Sequence, residues 1–260
     1  MGAPTTPVPE KEVRVAVRHM AGAAPVLFPA LWTAARDGWA PEVSRLLAEE
    51  EVNIEERGGP NHSSPLIEAA LRGCTASVRA LLEHGADASA KDDTGWAPLH
   101  HSAQRGILSS LLLLLEKGAE VSAKTDDGST PLHFAADRGH ESVVLILLEH
   151  GAEVSSKLDA GFTPLHCAAA GGHDTVVRVL VYKGADLQSK SNDGRTAEDM
   201  ATAYSHPLVA AMLNGEAMRR EAARRARCEA FAMGHQERLG AGSWVRWLDA
   251  GVVRMVLEQV

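Results

Sequence analysis

Four prolines, Pro65, Pro98, Pro131 and Pro164, stand 33 residues apart, and the glycines Gly73, Gly106, Gly139 and Gly172 keep the same interval. The tracts around them are near copies: "GWAPLHHSAQRG" from Gly95, "GSTPLHFAADRG" from Gly128, "GFTPLHCAAAGG" from Gly161, and a worn "HSSPLIEAALRG" from His62. An interval kept without slippage argues against one central core with one pocket. It implies like units stacked in a row, each too small to bury its own apolar side.

The punctuation inside one unit sets its local structure. Asp126-Asp127-Gly128 reads as a turn. Thr130 is placed as a helix N-cap and Pro131 as the first helical residue, where a missing N–H costs nothing. Leu132, Ala135 and Ala136 give that helix an apolar face, and Gly139 is expected to end it in a left-handed conformation. A second helix follows with Val143, Val144, Ile146, Leu147 and Leu148, ended by Gly151. The frame repeats as 58–90, 91–123, 124–156 and 157–189. A degenerate unit near 29–57 precedes it, where Gly38 lies 35 residues before Gly73, so two residues are inserted. An altered unit, 190–214, follows, with Ala197 in the proline position and Asp199 in the histidine position. The expected fold is an all-α solenoid of about six units, the outer two serving as caps.

The T-P-L-H tract after a turn, at a 33-residue period, resembles the ankyrin-repeat family, and the resemblance covers residues 29–214. It implies a protein–protein interaction scaffold rather than an enzyme, binding through the turn tips and the exposed edge of the first helices. Carried onto this chain, the tips are Asp93, Thr94 and Trp96; Asp126, Asp127 and Ser129; and Asp159, Ala160 and Phe162. The helix-edge positions are Gln104, Arg105, Asp137, Arg138 and Ala170. The resemblance also gives His100, His133 and His166 a structural role, hydrogen bonding between adjacent units, alongside the helix-opening prolines. Trp96 and Phe162 are either interface anchors, as exposed aromatics often are, or lie flat on the neighbouring tip. The aspartates around them point to a basic protein partner.

Other classes of function find little footing. The net charge of −8 is not that of a general nucleic-acid binder. Of the Lys and Arg residues, 18 lie in 1–214 against 28 Asp and Glu, while 215–260 carries 8 against 6. Histidines falling one per repeat do not have metal-ligand spacing, and neither a cofactor nor a small-molecule substrate is expected. No nucleophile–base order or phosphate loop occurs. Cys74, Cys167 and Cys228 are unpaired in spacing, which suits a reducing compartment, and a cytoplasmic or nuclear monomer is expected. The start, Met1-Gly2-Ala3-Pro4-Thr5-Thr6, formally matches the short N-myristoylation pattern, but no basic patch supports it; residues 1–28 read as a flexible segment.

Beyond Asn214 the period is lost. Residues 215–243 read as an Ala/Arg-rich helix followed by a Gly-Ala-Gly-Ser hinge. Its basic run, Arg219 to Arg227, is interleaved with Glu216 and Glu221 at favourable i,i+4 spacing, so a solvated face is expected before a nucleic-acid contact. Residues 244–260 carry a stripe of Leu248, Val252, Val253, Val256, Leu257 and Val260, too apolar to stay in water. The spacing loosely resembles the opening of an F-box or a SOCS box, with Val252 where the SOCS box has cysteine. That resemblance would imply a ubiquitin-ligase substrate receptor; docking on the last repeat is the plainer expectation.

Overall fold

The computed structural model describes residues 30–49 and 52–214, which form twelve helices. In chain order these are α1 Ala30–Asp37, α2 Ala40–Leu47, α3 Pro65–Arg72, α4 Thr75–Glu83, α5 Pro98–Arg105, α6 Leu108–Glu116, α7 Pro131–Asp137, α8 Glu141–Glu149, α9 Pro164–Gly171, α10 Asp174–Tyr182, α11 Ala197–Ala203 and α12 Pro207–Asn214. They pair as helix–turn–helix units. The odd-numbered helices pack side by side in one row and the even-numbered helices in a second row behind it. Among the described residues there is no extended strand, only an isolated bridge between Gly58 and Ser63. The apolar 244–260 stripe, the basic run and the N-terminal segment all lie outside the described residues.

None of these helices is longer than nine residues, too short to be stable alone. Their stability comes from stacking. Leu66, Leu99, Leu132 and Leu165, the leucine after each opening proline, are each 1% exposed. Burial of such a side chain contributes about 1.5–3 kcal/mol before ordering costs. Behind them Val78, Leu111, Val144 and Val177 are fully buried between the two rows. The result is one continuous core running the length of the stack.

The glycine that ends each first helix does so for two reasons. Gly139 has φ +73°, a region that costs any L side chain, and a Cβ there would sit 2.5 Å from the His173 ring. The last unit breaks the rule: Ser205 occupies the same left-handed position at φ +63°.

Candidate functional site

The histidines after the opening leucines link the units. Nδ1 of His100, His133 and His166 accepts the N-cap amides of Ala97, Thr130 and Thr163 at 3.0, 3.2 and 3.1 Å. That fixes the tautomer, so Nε2–H donates onward. It reaches Ala123 O at 2.9 Å, at the end of its own unit, and Phe162 O and Arg195 O at 3.1 Å, in the turns of the next units. Burial pushes His100 and His133 down to about 4 and lowers His166, so all three are neutral near pH 7. In the last unit Asp199 takes over the first half of the task, accepting the Thr196 amide at 2.8 Å.

The capping chemistry differs from expectation. Thr130 and Thr163 do not hold a helix amide with their hydroxyls; each hydroxyl lies on the histidine Nδ1, at 2.9 and 2.8 Å. Ser64 and Thr196, which have no histidine three residues on, do accept an amide, from Ile67 and Asp199.

A second histidine ladder escaped the sequence reading. Nε2–H of His140, His173 and His206 donates back to Gln104 O, Asp137 O and Ala170 O, at 3.0, 2.8 and 2.9 Å. Each ring lies over the glycine of the preceding unit and satisfies a carbonyl at the end of its first helix. The signal was present, since these three residues also recur at 33. Cys74 and Ile107 fill the same position in the earlier units, so the ladder covers only the C-terminal half.

The turn tips are tied to one another by backbone. Asp93 N donates to Asn61 O, Asp126 N to Thr94 O, Asp159 N to Asp127 O and Asn192 N to Ala160 O, at 3.1, 3.3, 2.9 and 3.0 Å. Lysines add rungs: Lys91 Nζ donates to Lys124 O and Lys157 Nζ to Lys190 O, at 2.8 and 3.0 Å. The tips are therefore preformed and mixed in charge, not purely acidic as the aspartates alone suggest.

The candidate residues divide on this surface. Asp93, Thr94, Asp126, Asp127, Asp159 and Ala160 are exposed, as are Arg105, Asp137 and Arg138. Gln104 and Ala170 are half-buried. Ser129 is corrected: it is 3% exposed, because its hydroxyl turns in to Asp127 Oδ2 at 3.0 Å and it packs at the start of α7. Asp127 is engaged too. Burial alone would raise its carboxyl, but hydrogen bonds from Thr125 and Ser129 outweigh this and hold it below the usual range. Asp93 pairs with His62 and lies 3.9 Å from Arg57. Asp126 and Asp159 have side chains without a hydrogen-bond or ion-pair partner among the described residues.

For Trp96 the structure shows the packed arrangement of the two left open by the sequence. It is half-buried, stacked on His101 at 4.8 Å and tilted against Phe134 of the next unit at 4.3 Å. Small Ser129 at the equivalent tip leaves room for it to lean across. Phe162 is half-buried against His166, with the Arg195 guanidinium 5.8 Å above its ring. Both aromatics thus have packing partners and remain half-buried. His101 beneath Trp96 is 8% exposed, neither ring nitrogen has a partner, and burial pushes it down to about 4. Burial likewise pushes the Cys167 thiol up to about 12, which leaves it unreactive near neutral pH. Among the described residues no group of His, Cys, Asp and Glu converges to hold a metal.

Comparison with known families agrees with this geometry. A model of ankyrin repeats in three copies matches residues 27–92 and 86–157, and a single ankyrin-repeat model matches 160–192. The chain belongs to the ankyrin-repeat family. No curated protein matches it. The family assignment makes the stack a protein–protein interaction module, and the surface just described is where its units expose side chains that the fold itself does not consume. Among the described residues no helix is long and apolar enough to cross a membrane.

Proposed function

We propose that this chain is a non-catalytic adaptor that holds a basic protein segment against the tips of units 91–123, 124–156 and 157–189. The observation that carries the reading is the pair Asp126 and Asp159. Both carboxylates are exposed and unpaired, on adjacent tips held in place by backbone bonds from Asp126 N to Thr94 O and from Asp159 N to Asp127 O. Preformed tips lose little conformational entropy on binding, and unpaired carboxylates a unit apart suit lysines or arginines on an extended partner. The half-buried edges of Trp96 and Phe162 lie at the starts of α5 and α9 and offer apolar contact beside the charges. A ligase substrate receptor and a DNA-associated factor both depend on residues 215–260, and no feature of the described surface favours either.

Charge reversal tests the reading. In the full chain, Asp126→Lys with Asp159→Lys should leave melting unchanged and weaken capture of co-purifying proteins at least about tenfold, equivalent to roughly 1.4 kcal/mol. Unchanged capture would remove the tips from the binding surface.

A further inference from the structure

Position 101 breaks the pattern of its own stack. Equivalent positions of the first helices hold Glu68, His101, Phe134 and Cys167. Glu68 accepts a hydrogen bond from Arg72 Nε at 3.0 Å, and Phe134 is apolar. His101 is 8% exposed, yet neither of its ring nitrogens has a hydrogen-bond partner. Burying polar atoms in this way costs stability. Phenylalanine and cysteine fit the same position in the next two units, so the packing of the repeats does not call for an imidazole there. The ring is covered by Trp96, stacked on it at 4.8 Å and tilted against Phe134 at 4.3 Å. The indole N–H of Trp96 has no partner among the described residues, so no hydrogen bond is lost when the indole turns aside. A costly polar group under a tryptophan on a turn tip suits recognition better than it suits folding.

We propose that His101 is a specificity-determining residue of the adaptor surface. With the indole of Trp96 turned aside, its imidazole hydrogen-bonds an uncharged polar side chain of the partner: a serine, threonine, asparagine or glutamine. This rests on the adaptor reading above and adds a second requirement to the basic segment that it binds. The chemistry of the position selects the class. A neutral imidazole offers one N–H and one bare nitrogen, and a hydroxyl or carboxamide can serve either. An ammonium or carboxylate would lose its hydration on entering between aromatic rings. A carboxylate would also meet Asp92, itself 8% exposed and near enough to act on His101 electrostatically. The place fits as well. Trp96 leans onto Phe134 of the unit whose tip carries the unpaired Asp126, so the polar residue lies on the partner close to the basic residue that Asp126 receives.

A random peptide library selected on the full chain tests the proposal. The wild type should enrich lysine or arginine together with one of these polar residues at a fixed spacing. His101→Phe copies the unit of Phe134 and should melt no earlier than the wild type, which separates lost recognition from unfolding. That variant should keep the basic preference and lose the polar one, and His101→Cys, which copies the unit of Cys167, should behave alike. The peptide enriched by the wild type should bind either variant at least about tenfold more weakly. With alanine in place of its polar residue, it should bind wild type and variants equally. A basic preference without a polar position overturns this inference and leaves the adaptor reading standing. A polar preference that wild type and variants share does the same. Enriched peptides without basic residues overturn both.

Discussion

The Nε2–H of His173 donates to the carbonyl of Asp137, 2.8 Å away, and the same ring closes over Gly139. One side chain thereby satisfies the open end of the preceding helix, fills the space above a left-handed glycine and joins two units. Gly139→Ala should therefore cost more than the usual price of a side chain at positive φ. We expect a loss of about 2 kcal/mol, combining backbone strain with displacement of the ring. At Gly151, where φ is +89° but nothing lies within 4 Å, alanine should cost only the backbone part, about 1 kcal/mol. Chemical denaturation of the two variants checks this; equal losses would show that the ring yields without cost.

Ser205 is the counterpart. It holds at φ +63° the position that glycine holds in every other unit. Ser205→Gly should stabilise the last unit by up to about 1 kcal/mol by relieving that strain. The gain should appear as slower hydrogen exchange in α11 and α12, and unchanged exchange there would remove strain from the account.

Ala97 lacks the hydroxyl that Thr130 and Thr163 place on the histidine Nδ1 at 2.9 and 2.8 Å. Ala97→Thr should add the same contact to His100 and stabilise by about 1 kcal/mol. A lower melting temperature would mean that Ala97, 2% exposed, has no room for the extra atoms.

These cases show what the sequence makes legible. Pro131 and Leu132 open α7 and Gly139 takes a positive φ just after it, where their residue types within the 33-residue period placed them. Ser129 was misjudged, and the alternatives for Trp96 stayed open, because burial at a tip depends on the neighbouring unit: a serine folds inward onto Asp127, and the gap beside it admits a tryptophan from the tip before. The histidine ladder of His140, His173 and His206 repeats as plainly as the first one. Both ladders end on backbone carbonyls, which no residue type reveals; the first was expected only because the T-P-L-H resemblance gave its histidines a role, and no such motif marks the second.

Ser102 illustrates a weakness in the N-terminal half. It is fully buried with no partner for its hydroxyl, where Ala69, Ala135 and Ala168 stand in sister units; Ser77, buried in α4, is likewise unpartnered. Ile67 and Ile107 leave the neighbouring unit of α3 and α4 without either histidine bridge. Ser102→Ala should stabilise by about 1 kcal/mol, and hydrogen exchange should show α3 to α5 opening before α7 to α10. Uniform protection along the stack would refute this ordering.

Acid sensitivity follows from the buried imidazoles. His100, His101 and His133 are held at about 4 in the folded chain by burial, against an ordinary value of 6.5. Between those values the unfolded chain binds more protons than the folded one, so stability is full above about pH 6.5 and falls as pH drops towards 4. Each group contributes at most roughly 3 kcal/mol to that loss. His101 differs from the other two because it makes no hydrogen bond in exchange for its burial. His101→Phe, the residue at the equivalent Phe134, keeps a ring beneath Trp96 and removes both a titrating group and two orphaned nitrogens. We expect a gain of about 1 kcal/mol at pH 7 and a larger one at pH 5. His133→Phe should instead lose stability at pH 7, because it breaks the bond to Phe162 O. Denaturation curves for both variants at the two pH values decide the matter; a His101 variant that is no more stable at pH 5 than at pH 7, relative to wild type, would show that the ring is not buried neutral.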